Sequence, residues 1–170
     1  GGSDFAGGVS DGRLGVFAFR QAARGVSALR AWFCLDEGVV AVGADLRSVD
    51  QAPLRTTRDQ RRADGPVTPL PGGGVHHAGV CWVPLQGPAP VHAVEDRAGD
   101  WSPVNRNLAG LPASARVFTA WLEHGPSPAA FAYACLPGFA PDEMPAWLAR
   151  APRLLRNDST VQALAARDHT

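Results

Sequence analysis

The chain has 170 residues, with sixteen basic and sixteen acidic side chains and a formal net charge of zero. That length is enough for one domain with a real core, and no seam in composition divides it. With the charge balanced and no basic tract, nothing argues for a nucleic-acid or anionic-membrane partner. Every basic residue is Arg, which coding bias explains as well as any ligand, so the count carries no weight. Cys34, Cys81 and Cys135 lie in apolar runs without metal-site or redox spacing and read as buried free thiols, although one pair plus one free thiol stays open. No apolar run is long enough to span a bilayer and no signal-like segment opens the chain. Instead it begins Gly1-Gly2-Ser3-Asp4-Phe5-Ala6-Gly7-Gly8, as though cut from a longer protein.

Asp11-Gly12 marks a turn, and residues 13–20 alternate Leu14, Val16 and Ala18 against Phe17 and Phe19 as a first strand. Residues 28–46 read as a hairpin. Leu29, Ala31, Phe33 and Leu35 share one face and Arg30, Trp32 and Cys34 the other, the period-two pattern of a strand. Asp36-Glu37-Gly38 supplies the turn, and Val39 to Leu46 returns as a strand whose two faces are both buryable, so it belongs inside something larger. Arg55 to Arg62 is polar but extended; plain alternation sends Thr57, Asp59 and Arg61 one way and Thr56, Arg58, Gln60 and Arg62 the other. Pro66 to Leu70 is a short piece between tight turns, with His76-His77 in the loop after Gly72-Gly73-Gly74. A strand over 79–85 is ended by Pro84, and another over 91–96 is followed by a turn at Arg97-Ala98-Gly99-Asp100. Residues 115–124 and 129–136 read as a second hairpin joined by Gly125-Pro126-Ser127-Pro128. A single helix over 141–150 is limited by Pro145, and Leu154-Leu155 with 161–164 close the chain as strands around Asn157-Asp158-Ser159. Many short strands separated by Gly and Pro turns define an antiparallel all-β domain, most simply two packed sheets.

Several motifs, in order, resemble the central β domain of polysaccharide lyase family 8, which includes hyaluronate lyase, chondroitin AC lyase and xanthan lyase. They are Gly7-Gly8 with Asp11-Gly12; Arg30-Ala31-Trp32-Phe33 leading to Asp36-Glu37 and Val40 to Gly43; and Thr56-Thr57 with Gln60-Arg61, then Asp64-Gly65-Pro66-Val67. Gly99-Asp100-Trp101 with Val104-Asn105, Trp121 to Gly125, and Tyr133 leading to Leu136-Pro137-Gly138 follow, and Asn157 with Val161-Gln162-Ala163 closes the series. The resemblance implies an antiparallel β-supersandwich of the galactose-mutarotase-like kind, of which residues 1–170 form an incomplete portion. It also implies a secreted bacterial enzyme that cleaves acidic, uronate-containing polysaccharide by β-elimination. The family's catalytic Asn, His, Tyr and Arg belong to an α/α toroid preceding this domain, and no residue here matches those motifs. The missing toroid and the remaining β domain are therefore the expected partners, with acidic polysaccharide reached through the parent enzyme.

The residues themselves offer few alternatives. Tyr133, the only tyrosine, is the only candidate for a tyrosine base, but a core ring is the simpler reading. His76-His77 invites a metal, yet neighbours on a strand diverge and no Cys or carboxylate stands at ligand spacing, so water-exposed loop histidines are preferred. Glu123 and His124 diverge in the same way, and His92 and Glu95 have opposite parity. Arg58, Gln60 and Arg62 on a shared face can bind a carboxylate-bearing sugar or pair internally with Asp or Glu, the latter preferred. Of the tryptophans, Trp32, Trp82, Trp121 and Trp147 read as packing and Trp101, after a turn, as uncommitted. The candidates are thus Arg58, Gln60, Arg62 and Trp101 for substrate, with no catalytic residue, metal ligand or cofactor assigned. Two other functions remain to be weighed: a stand-alone carbohydrate-binding module, and a mutarotase-like enzyme using a converging His/Glu pair.

Overall fold

A computed structural model describes residues 3–50, 52–108, 110–125 and 128–166. Among the described residues thirteen strands run in the order β1 (Ala6–Ser10), β2 (Gly15–Ala23), β3 (Val26–Leu35), β4 (Gly38–Ser48), β5 (Leu54–Arg62), β6 (Val67–Leu70) and β7 (Gly74–His77). They continue as β8 (Val80–Gln86), β9 (Pro90–Asp100), β10 (Pro112–His124), β11 (Ala129–Pro137), β12 (Arg153–Asn157) and β13 (Gln162–Ala165). One short helix, α1 (Met144–Ala149), precedes β12.

The strands form a large sheet of order β1-β2-β3-β4-β11-β8-β7-β6, a three-stranded sheet β5-β10-β9, and the hairpin β12-β13. All the pairings are antiparallel. The large sheet is the middle layer. One face packs Ala31, Val40, Val42, Cys81, Val83, Ala134 and Leu136 against Met144 and Trp147 of α1 and against Leu154 and Leu164 of the closing hairpin. The other packs Ala41, Trp82, Phe131 and Tyr133 against Phe118, Ala120 and Leu122 of β10. β4 lies between β3 and β11 with residues 40–44 buried, as a run apolar on both faces requires. Gly43 is needed there: a Cβ would sit 2.3 Å from a ring carbon of Phe131.

The all-β reading and the 28–46 hairpin hold, while several local expectations are corrected. Residues 115–124 and 129–136 are not a hairpin. β10 uses both edges to pair with β5 and β9, and β11 sits between β4 and β8, so the connection crosses from one sheet to the other. Pro126 and Ser127 of that connection, like Gly1 and Gly2, lie outside the described residues. The segment after the triple glycine is strand β7, because Gly72 and Gly73 adopt positive φ and reverse the chain within one turn. β8 runs on past Pro84 to Gln86; the proline stands beside a register shift against β11 and beyond the last residue paired with β7. Residues 97–100 are strand rather than turn, paired with 112–115. The glycine-containing opening forms β1, which alternation did not reveal.

Candidate functional site

The polar side chains that converge do so between the two sheets, and β5 places the central one. The register of β5 against β10 slips between Thr57 and Asp59, so Arg58 is an extra, bulged residue. Before the bulge Thr56 points inward; after it Asp59 and Arg61 face the β10 residues Ala120 and Phe118, which are fully buried. The shared face expected for Arg58, Gln60 and Arg62 is therefore broken. Arg58 is only 7% exposed, whereas Gln60 and Arg62 point to solvent. Gln60 only approaches Thr119 Oγ1, at 3.4 Å. Internal carboxylate pairing is met by a different residue: Arg61 Nη2 lies 2.6 Å from Asp59 Oδ2.

Around Arg58 the large sheet supplies an aromatic floor. The guanidinium carbon lies 5.7 Å from the Tyr133 ring centre. Tyr133 stacks on Phe131 at 5.8 Å and meets Trp82 edge-on at 6.0 Å. Arg30, from β3, reaches over Trp32 and Phe131 at 5.8 and 5.6 Å and donates weakly to Gln21 Oε1 at 3.3 Å. Nε, Nη1 and Nη2 of Arg58 and Nε1 of Trp82 are all buried without a hydrogen-bond partner. Unpaired donors of this kind cost about 1–3 kcal/mol each. Burial draws the Arg58 guanidinium down to about 10, and Arg30 is lowered for the same reason.

His124, at the end of β10, shares a 2.8 Å hydrogen bond through Nε2 with Thr56 Oγ1, and its ring lies 5.5 Å from Phe131. Burial, followed by the charge of Arg30, lowers its pKa, so it is neutral near pH 7. Burial raises Tyr133, outweighing the two arginines. At 9% exposure its ring is part of the core, packed with Trp82 and Phe131. Glu123 points outward to Arg55, 2.6 Å away, while His124 points in, so the converging pair that mutarotase-like chemistry needs is not formed by these two.

The remaining candidates lie apart. His77 is fully buried, its ring 4.3 Å from Phe118 and its Nδ1 3.3 Å from Pro66 O, which corrects the water-exposed loop reading. His76 has a buried Nδ1. Trp101 is 48% exposed at the tip of the β9–β10 ribbon, beyond the last residue paired with β5. Cys81 and Cys135 are free and raised to about 11 by burial, whereas Cys34, near the end of β3, is exposed, contrary to the buried-thiol reading. Among the described residues no group of three or more His, Cys, Asp and Glu is placed to hold a metal ion. A cleft of about 330 Å³ under the Asp36-Glu37 turn is flanked by two ion pairs, Arg13–Asp36 at 2.5 Å and Arg150–Glu37 at 2.6 Å, so its charge is already balanced.

What these residues do best is join layers. Asn157 Nδ2 donates to Gln86 Oε1, Phe131 O and Gly43 O at 2.7, 3.0 and 3.1 Å, and Gln162 Nε2 donates to Leu29 O and Asn157 Oδ1, each at 3.1 Å. Their side chains clamp the closing hairpin onto the large sheet. Reading the sequence did not assign them this role; their only signal was their place among the ordered motifs.

The architecture defines a class: an antiparallel β-sandwich built on one broad sheet, its layers joined by internal polar contacts. Residues 1–147 match the family model for polysaccharide lyase family 8, super-sandwich domain. The chain is 31% identical over 182 aligned positions to chondroitinase-AC of Pedobacter heparinus, covering 96% of this chain and 26% of that protein. It is 30% identical to hyaluronate lyase of Thermasporomyces composti, covering 95% of this chain and 24% of that protein. A solved chondroitinase AC lyase superposes with a TM-score of 0.87 at 29% identity, covering 95% of this chain and 27% of that one. The chain belongs to polysaccharide lyase family 8, and it spans about a quarter of the length of these relatives.

Proposed function

We propose that residues 1–170 are the β-sandwich portion of a secreted bacterial lyase that cleaves an acidic polysaccharide of the hyaluronan, chondroitin or xanthan kind by β-elimination. Elimination needs a group that neutralises the uronate carboxylate and a base beside the acidified proton. In this reading both come from an α/α toroid outside the chain. The sandwich supports the toroid and forms one wall of the cleft, binding no cofactor. The observation that carries the reading is the fate of the titratable side chains. Tyr133, His77 and His124 are packed in the core, and Glu123 is paired on the opposite side of β10 from His124.

The test is direct. The chain alone is incubated with hyaluronan, chondroitin, xanthan and alginate, and the unsaturated product is followed by its ultraviolet absorbance. No turnover is expected, and robust turnover refutes the assignment of chemistry to another domain. The upstream reading frame is the second check, with an α/α toroid expected there.

A further inference from the structure

The β9–β10 ribbon runs on past the sandwich. β5 pairs with β10 as far as Val117, and Ala63 adds one further bond to Arg116 O, whereas β9 and β10 stay paired out to Asp100 and Pro112. Residues 97–100 and 112–115 therefore stand as two strands by themselves, roughly 13 Å of ribbon at about 3.4 Å per residue. Residues 95–100 of β9 are all exposed, and none of residues 112–116 is buried. A two-stranded extension of that kind adds no apolar core and is marginal on its own. What it provides is reach.

The tip of the ribbon fixes its own backbone. Trp101 O accepts from Val104 N at 3.0 Å and from Asn105 N at 2.8 Å, Asp100 Oδ1 accepts from Ser102 N at 2.7 Å, and Asn105 Oδ1 accepts from Asn107 N at 3.0 Å. The turn is thus closed from within and presents Trp101, which is 48% exposed. The other tryptophans are all engaged. Trp32 stacks with Phe19, Trp82 meets Tyr133, Trp147 is buried, and Trp121 lies under Arg55 while its Nε1 donates to Glu123 at 3.2 Å. Among the described residues the Trp101 ring meets no aromatic ring or cation, and its Nε1 has no acceptor. Just after the turn, Arg106 opens the short helical segment Arg106–Leu108 and is exposed. Among the described residues it forms no ion pair. An open indole face and an uncommitted guanidinium thus share the end of an arm.

We propose that Trp101 is a stacking platform for one sugar ring of an acidic polysaccharide, that Arg106 binds the carboxylate of that unit or its neighbour, and that the β9–β10 ribbon carries both to an outlying subsite of the parent lyase. A pyranose offers a flat patch of C–H groups, which the electron-rich face of an indole covers and attracts. The forked donors of a guanidinium match a carboxylate in the same way. A protein surface would satisfy the tryptophan but gives no reason for a free Arg beside it, whereas an acidic glycan uses both. Such a subsite touches no reacting atom and binds substrate and transition state alike, so it acts on KM rather than kcat. The inference rests on the proposed function, because it needs a parent enzyme that acts on such a polymer.

The experiment uses the product of the whole reading frame, with initial rates measured on whichever of chondroitin, hyaluronan and xanthan it cleaves. Trp101→Ala should raise KM about tenfold and leave kcat within about twofold. Trp101→Phe keeps a smaller ring and should recover most of the loss. Arg106→Gln should raise KM about fivefold and weaken its dependence on salt. An unchanged KM in Trp101→Ala, or a fall in kcat at constant KM, overturns the platform and leaves the proposed function standing; a product that cleaves no acidic polysaccharide overturns both. Hydroxyl-radical footprinting of the unmutated product gives a readout independent of turnover and of how any variant folds. Trp101 should be oxidised readily without glycan, and at least about fivefold more slowly with the cleaved polysaccharide in excess. A ring already unreactive without glycan is covered by another domain, and one equally reactive with it holds no sugar; either result overturns the proposal.

Discussion

Replacing Asn157 with alanine probes how the closing hairpin is held. The amide nitrogen serves three acceptors with two hydrogens, and two of those acceptors, the carbonyls of Gly43 and Phe131, lie on facing strands where the β4–β11 register slips. Truncation removes about two hydrogen bonds' worth of interaction at roughly 1 kcal/mol each and leaves part-buried carbonyls short of a donor. It also deprives Gln162 of the acceptor Oδ1. The sum is a loss of about 3 kcal/mol. With a urea slope of about 2 kcal/mol per molar for a domain of this size, the midpoint should fall by about 1.5 M. Asn157→Asp is the sharper companion, because it keeps the shape but turns a donor into an acceptor facing two carbonyls, and it should cost at least as much. A midpoint shift below about 0.5 M for both variants would refute the clamp.

Gly43→Ala drives a methyl into the Phe131 ring and should cost about 2–3 kcal/mol by thermal or urea unfolding; a loss under 0.5 kcal/mol would mean that the ring moves freely. Arg58→Met in residues 1–170 exchanges three unpaired donors for an apolar chain of similar length, so stability should stay level or rise by about 1 kcal/mol despite the lost stacking on Tyr133. A drop larger than that shows the guanidinium to be satisfied. His124 has a depressed folded pKa, so the unfolded chain takes up its proton first. Its contribution is complete above the unfolded value near 6.5 and is lost as pH falls below it. His124→Gln should flatten the stability–pH slope between pH 7 and 5, and an unchanged slope is the contrary result. A thiol reagent should find one fast cysteine, Cys34, with the half-buried Cys135 slower and the buried Cys81 slowest.

The parts of the fold legible in the sequence are those set by one strand's own alternation. Leu29, Ala31, Phe33 and Leu35 announced the face of β3, and the doubly apolar run of β4 announced its central place. The parts set by a partner strand were hidden. Arg58, Gln60 and Arg62 have the parity of one face, and only the regular inward series Phe118, Ala120 and Leu122 on β10 forces the bulge that separates them. His77 looked like a loop residue because the glycines before it suggest irregular chain, whereas they make a turn tight enough for β7 to pair on both sides. For the inter-sheet cluster, Arg58 and Tyr133 could each be singled out, but Arg30 joins them only because Ala41 and Gly43 leave room for it to reach across β4.

β11 enters the large sheet between β4 and β8. As the chain leaves a ribosome, β1 to β4 and β6 to β8 emerge as two half-sheets, each with an unsatisfied edge, long before residues 129–137 exist to join them. Closure of the layer is thus a late, non-local event, of the kind that slows folding and leaves sticky intermediates. A nascent chain stalled or cut before residue 129 should be a substrate for chaperones rather than a smaller version of the domain.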